Sequence, residues 1–409
     1  MATHQRGQLA WAMYDWANSA FATTVLAGFF PIFFAKYWAA DLADAERTWW
    51  LGWGGSIASL IVMVLAPLLG GVADRKGYKK RFLFLMTVLG AGATIGLYGV
   101  DKGDWPHALA MFTLASIGFF GGLSFYDSLI VHVARDQEMD RVSALGYGLG
   151  YLGGGLLFAV NVAMVLKPAM FGLADAAVAT RLSFLSVGVW WLLFSLPLFL
   201  RVPEAPKPEG SVGFAELWAT AKQLISMRPV LLFLCAYWLY IDGVDTIIRM
   251  AVDYGIKLGF DPAALIKALL LVQFIGFPAA IAFGWLADRI GTKRAIYLGL
   301  AVYAGVTSFA FTLRTEAQFY GMAAVIALVQ GGVQSLSRSY FAKLIPAEQA
   351  GEFFGFYNML GKFAAVGGPI AIGITALAVS DQRYSILALL PFFLFGALLL
   401  SRVRPEASR

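Results

Sequence analysis

Twelve apolar segments, each near or above the roughly 20 residues a helix needs to cross a hydrocarbon core, run through this chain. In lipid every backbone N–H and C=O must be satisfied within the segment, so such segments fold as helices. They fall at about 9–38, 49–73, 81–101, 106–131, 143–166, 180–201, 229–256, 263–288, 294–314, 318–343, 352–378 and 382–402. Charged residues make up only 14% of the 409, and mean hydropathy is +0.71. An ordinary soluble domain, with about 25% charged residues, is thereby excluded. The expectation is an all-α polytopic membrane protein.

One stretch comes twice. Gly70-Gly71-Val72-Ala73-Asp74-Arg75-Lys76-Gly77-Tyr78-Lys79-Lys80-Arg81 follows the second segment, and Gly284-Trp285-Leu286-Ala287-Asp288-Arg289-Ile290-Gly291-Thr292-Lys293-Arg294 follows the eighth. Aligned, Asp74 meets Asp288, Arg75 meets Arg289 and Gly77 meets Gly291, while Lys79 and Lys80 meet Lys293 and Arg294. Glycine permits the tight turn, and the cations hold the loop on the cytoplasmic side. The aspartate is suited to cap a helix N-terminus. Gly121-Gly122 and Gly331-Gly332 match in the same way. The repeat predicts two six-helix bundles, 1–201 and 229–409, joined by a linker at 202–228. The linker starts Pro/Glu-rich at Val202 to Gly210, and then Phe214, Leu217, Trp218, Ala221, Leu224 and Ile225 recur at helical spacing. That pattern predicts an amphipathic helix on the membrane surface.

Orientation follows from the loop cations. Of 31 Lys and Arg, 19 lie on the side of the termini and 9 on the other, which predicts cytoplasmic termini. The net charge of +6 therefore reflects membrane orientation and does not point to nucleic acid. The one cysteine, Cys235, excludes an intrachain disulfide, and His4, His107 and His132 have no metal-ligand spacing. Gly148 to Gly153 fits G-x-G-x-x-G but lies inside a span, where Gly146, Gly150 and Gly154 read as a helix-packing stripe. After Gly361-Lys362, Phe363 stands where a phosphate loop needs Ser or Thr. With no catalytic constellation, the expectation is no enzyme, no cofactor and no metal.

The polar residues inside spans carry the chemistry, because ionisable groups there cost at least ~2.5 kcal/mol and usually face a cavity or partner. Asp15 and Asn18 lie on the first span, Ser124 and Asp127 on the fourth, and Asn358 and Lys362 on the eleventh. On the seventh, Asp242, Asp245 and Arg249 form one stripe; on the tenth, Gln330, Gln334 and Arg338 form another. Asp245 and Arg249 are equally readable as a structural pair or as substrate contacts. Asp242, with a second carboxylate one turn away, is the first candidate for a coupling proton. Asp127 is open to a gating or helix-tethering role, to substrate contact and to carrying a proton. Arg338 suits either a bidentate clamp on a substrate carboxylate or a gate salt bridge to Asp127. Lys362 can bind substrate, snorkel or pair with Asn358.

The repeated loop resembles the signature loop of the major facilitator superfamily. Tyr14 to Thr24 (YDWANSAFATT), Gln330 to Arg338 (QGGVQSLSR) and Glu352 to Lys362 (EFFGFYNMLGK) are similar to its vacuole-effluxer-like branch. The resemblance implies alternating access about a central cavity lined by spans one, four, seven and ten, with the basic loops acting as gates. Fungal members of that branch are associated with amino-acid efflux from vacuoles. The implied function is secondary, proton-coupled export of amino acids or small peptides by a monomer in the bacterial inner membrane. Two alternatives stay open. One is a lipid, amphiphile or drug transporter with a lateral opening near Phe29, Phe30, Phe33 and Phe34; the other is a non-transporting sensor.

Overall fold

The computed structural model describes residues 2–204, 214–257, 259–378 and 382–404. The side chains of 214–217 and of Arg249 lie outside the described residues, as does the start of the expected linker, 205–213. Among the described residues there is no strand. The long helices are α1 (His4–Trp38), α2 (Asp44–Lys76), α3 (Lys79–Gly96), α4 (Trp105–Val133), α5 (Met139–Leu166) and α6 (Ala176–Arg201). After the linker helix (Phe214–Ser226) come α7 (Arg228–Lys257), α8 (Pro262–Ile290), α9 (Thr292–Ala310), α10 (Glu316–Leu344), α11 (Ala350–Ala378) and α12 (Tyr384–Arg402). Among the described residues, ten of these qualify as membrane spans by length and composition alone. The other two are α9, which begins Thr292-Lys293-Arg294, and α11, several of whose side chains lie outside the described residues.

Each apolar run ends where its chemistry changes. Helix α2 stops at Gly77, which takes the left-handed helical conformation (φ 65°, ψ 43°), and α8 stops at Gly291, whose φ of 92° also favours glycine although its ψ of 143° makes a different turn. Helix α10 begins with a capping box, Thr315 accepting from the Gln318 N–H while the Gln318 side chain returns to the Thr315 N–H. Helix α1 is wound wider than an α-helix over Phe21–Phe29 and again over Phe34–Trp38.

Among the first six helices, α3 packs on α4 and α6, and α1 on α5 and α6; among the last six, α10 packs on α8 and α9, and α7 on α11 and α12. The two sets meet along α5 with α8 and along α2 with α11. Glycine makes these seams close. The Gly146, Gly150 and Gly154 stripe lies on α1, where added Cβ atoms would sit 2.5 Å from Asp15 Oδ2, 2.6 Å from Ser19 Oγ and 2.9 Å from Thr23 Oγ1. A Cβ on Gly70 would meet the Gly351 carbonyl oxygen at 2.3 Å, and one on Gly355 would meet Pro67 Cα at 2.7 Å. The stripe is a packing device, as its spacing predicts.

Candidate functional site

The first and last described residues and the loops after α2, α4, α6, α8 and α10 lie at one end of the molecule. His4 reaches Glu138, and Asp74 reaches Gly351. Lys80 donates to the Val202 carbonyl at 2.6 Å, and Lys293 donates to the Val403 carbonyl at 2.8 Å. The described cross-seam ion pairs close this end.

At the centre of the closure is Arg338 of α10, only 2% exposed. Its Nη1 donates to Asp15 Oδ2 at 3.3 Å and Asp127 Oδ1 at 3.1 Å. Its Nη2 donates to Asp15 Oδ2 at 3.2 Å and the Ser143 carbonyl at 3.0 Å, and its Nε to Ser143 Oγ at 2.9 Å. Trp11, Tyr126 and Tyr147 cover the guanidinium at 4.5 to 5.4 Å from their ring centroids. Tyr126 donates to Asp15 and Asn358 donates to Asp127, so both carboxylates have further donors. A guanidinium has five N–H groups, and this one has a partner for each. The salt bridge to Asp127 that the sequence allowed is present, and Asp15 shares it.

The signature loops flank that centre. Asp74 accepts the Gly351 and Glu352 N–H groups at 2.9 and 2.8 Å, capping α11 from across the seam. It also pairs with buried Lys79 at 2.7 Å, and Arg75 reaches Glu352 at 3.5 Å. In the second loop Asp288 pairs with Arg141 of α5, while Arg289 and Arg294 are exposed. The residue-for-residue alignment needs one correction. Lys293 acts as Lys80 does, not as Lys79 does, because each is the second residue of its helix: α3 starts two residues after Gly77, and α9 starts one after Gly291.

Above the closure lies a cavity of about 410 Å³, lined by α1, α4, α5, α7, α8, α10 and α11. Asp15, Asn18, Asp127, Asp245, Gln330, Gln334, Arg338, Asn358 and Lys362 all line it, with Tyr147, Tyr151, Tyr237 and Tyr357. Apolar side chains, including Leu123, Ile248, Leu269, Phe319 and Ile326, make up much of the rest of the wall. Lys362 sits over the Phe120 ring. Asp242 is placed elsewhere: it is not among the lining residues and instead faces α11, accepting the Gly368 N–H at 2.8 Å.

Several contacts here were not singled out from the sequence. Asp140 accepts from Lys343 at 2.7 Å, Thr292 at 2.6 Å and Ser339 at 2.5 Å, tying α5 to α9 and α10. The signal was present, since Ser335, Ser339 and Lys343 repeat every fourth residue beside the Gln330–Arg338 stripe. Trp11, Tyr126 and Ser143 gave no such signal, because each looks like ordinary span composition.

The chain matches the family described as "Vacuole effluxer Atg22 like" over residues 53–139 and 131–409. The chain belongs to this family. It is 37% identical over 406 residues to the uncharacterized MFS-type transporter YxiO of Bacillus subtilis, covering 98% of this chain and 95% of that protein. To autophagy-related protein 22 of Yarrowia lipolytica it is 28% identical over 318 residues, covering 67% of this chain and 52% of that protein. This Atg22-like chain has the major facilitator fold. The human organic anion transporter MFSD10 superposes with a TM-score of 0.74 at 17% identity, covering 97% of this chain and 99% of that one. It is an integral membrane transporter for a small-molecule substrate, and not an enzyme.

Proposed function

We propose that this transporter is a proton-coupled exporter of amino acids or small peptides, working by alternating access. Residues 1–201 and 229–409 move as two bodies about the cavity, with 202–228 as their tether. The observation that carries the reading is the cavity itself. It lies between the halves, offers both charges through Asp245 and Lys362, and is floored by a cross-seam ion cluster. A zwitterion can place its amine at the carboxylate and its carboxylate at the ammonium, with Asn18, Gln330, Gln334 and Asn358 completing the hydrogen bonds. In this geometry Arg338 is a gate, and the substrate's carboxylate goes to Lys362.

Our reading puts both termini in the cytoplasm of a bacterial cell, which the excess of loop cations on that side supports; in that orientation this state is closed to the cytoplasm. A monomer suffices, since all the groups invoked lie in one chain. Asp242, Asp245 and Asp127 are the carboxylates available for proton coupling. The apolar part of the wall favours a second reading, transport of amphiphiles. Reconstituted protein under an imposed pH gradient distinguishes the two: movement of amino acids supports the first, and movement of amphiphiles alone replaces it.

A further inference from the structure

We infer that the pocket holding Arg338 is a binding site for a guanidinium-bearing solute, which takes the place of Arg338 when the cytoplasmic end opens. The inference rests on the alternating access proposed above and narrows the substrate to one whose side chain carries a planar cation.

Every group that touches the guanidinium comes from the first half. Trp11 and Asp15 lie on α1, Tyr126 and Asp127 on α4, and Ser143 and Tyr147 on α5. These groups are held by contacts that do not involve the arginine. The Trp11 ring stacks on Tyr126 with centroids 4.5 Å apart, and its Nε1 donates to the Tyr126 carbonyl at 3.0 Å. The Tyr126 hydroxyl donates to Asp15 Oδ2 at 2.8 Å, and Tyr14 packs on Tyr126 while hydrogen-bonding Thr87 of α3. Gly146 of α5 keeps the pocket open, since a Cβ there would lie 2.5 Å from Asp15 Oδ2 and 3.1 Å from Arg338 Nη2. Besides Arg338, the second half adds one donor, from Asn358 to the other oxygen of Asp127. The pocket therefore keeps its shape when α10 moves away.

Its chemistry selects a guanidinium over other cations. Asp15 Oδ2 takes an N–H from each Nη, Asp127 Oδ1 takes another, and Ser143 supplies its carbonyl and its hydroxyl. An ammonium has three N–H groups and no flat face to lay against the rings. When the halves part at this end, Arg338 leaves with α10, and the Ser143 hydroxyl also loses the Ser335 carbonyl that it donates to. Two buried carboxylates deprived of their guanidinium are costly to leave as they are, and a free guanidinium restores each lost bond. Asp15, Asp127 and Tyr147 also line the cavity, so the vacated pocket is continuous with the proposed substrate site. One pocket thus has two occupants in turn, the solute when the end is open and Arg338 when it is closed.

The test fills the pocket from solution. Methylguanidinium, or its neutral counterpart methylurea, is added to detergent-purified full-length Arg338→Ala protein. Methylguanidinium is expected to raise the melting temperature saturably, and methylurea to bind at least about tenfold more weakly, lacking the charge. Gly70→Phe keeps Arg338 and wedges the α2–α11 seam, where a Cβ alone would meet the Gly351 carbonyl oxygen at 2.3 Å. It is expected to hold the cytoplasmic end open and to respond to methylguanidinium too, so the test survives an Arg338→Ala protein that does not fold. Adding Asp15→Asn and Asp127→Asn to either variant is expected to abolish the response. Equal shifts by the two compounds, or a methylguanidinium shift that outlasts both carboxylates, overturns the inference. In vesicles the parent is expected to move L-arginine in preference to L-citrulline, which has a neutral urea in place of the guanidinium. Equal movement of the two overturns the narrowing of the substrate. Movement of neither sinks the amino-acid reading, while the methylguanidinium shifts still decide what the pocket binds.

Discussion

Ser143 and Arg338 meet across the seam in an order that matters: Arg338 Nε donates to Ser143 Oγ at 2.9 Å, and that hydroxyl donates onward to the Ser335 carbonyl at 2.7 Å. One hydroxyl of α5 thus fixes the guanidinium of α10 and hydrogen-bonds the backbone of the same helix. The carboxylates of α1 and α4 then complete a site that no single helix could build.

Removing the cation from that site is expected to be severe. Arg338→Ala leaves Asp15 and Asp127 buried without their partner, and breaking a buried pair from one side costs about 3–5 kcal/mol. Arg338→Lys keeps the charge but has three N–H donors where the site offers five acceptor contacts, so it should restore only part. Thermal unfolding of the detergent-purified variants checks both. An Arg338→Ala protein that melts with the parent would show that the cluster contributes little to the closed state.

The two signature loops are alike in sequence and unlike in burial, and the second prediction rests on that difference. Asp74 is 3% exposed, caps two N–H groups of α11 and neutralises Lys79, itself 1% exposed. Asp288 pairs with an Arg141 side chain that is 62% exposed. Asp74→Ala should therefore cost about 1–3 kcal/mol or more through the stranded N–H groups and cation, whereas Asp288→Ala should cost about 0–1 kcal/mol, as surface pairs do. Equal shifts in melting temperature would refute this asymmetry.

How far the sequence revealed the site can be read from α7. Helical spacing put Asp242, Asp245 and Arg249 on one stripe, yet three residues turn a helix by about 300°, which leaves neighbours on a stripe some 60° apart. That angle is enough to send Asp245 into the cavity and Asp242 into the α11 seam. Period alone cannot make this distinction, because it depends on where α11 lies. The tenth-span stripe was legible in full, since Gln330, Gln334 and Arg338 all reach the cavity. For Arg338 the sequence offered the salt bridge to Asp127 beside a substrate clamp, but not the contacts to Asp15 and Ser143, which are 323 and 195 residues away. The repeated loop predicted the turn glycines and the helix cap, while the one-residue shift between Lys79 and Lys293 came from where α3 and α9 begin.

The cavity charges should separate binding from folding. Asp245→Asn and Lys362→Gln alter residues at the cavity wall, away from the Arg338 cluster, and each leaves the side chain close in size. Each variant's own ligand-free melting temperature is the baseline for this comparison. Both should lose the stabilisation that a bound amino acid gives the parent. A screen of amino acids, dipeptides and lysolipids by thermal shift reads this directly. Stabilisation by amino acids that survives both substitutions would remove the zwitterion site from these residues.

The linker helix gives the last prediction, because its two faces differ. Leu224 and Thr220 are buried against the protein, and the helix touches α2, α7 and α11. Trp218 and Ile225 are 61% and 63% exposed, seven residues apart and so on one face, with Lys222 over the Trp218 ring. An apolar face edged by a cation, at the end where the loop cations gather, suits the boundary between headgroups and acyl chains. Trp218 should then be quenched by brominated phospholipid, measured as the difference between the parent and Trp218→Phe. The loss of that one aromatic contact should leave thermal stability in detergent nearly unchanged, since the residue packs on lipid and not on the bundle. Quenching by an aqueous quencher in place of the lipid one would put this face in water and reduce the helix to a tether.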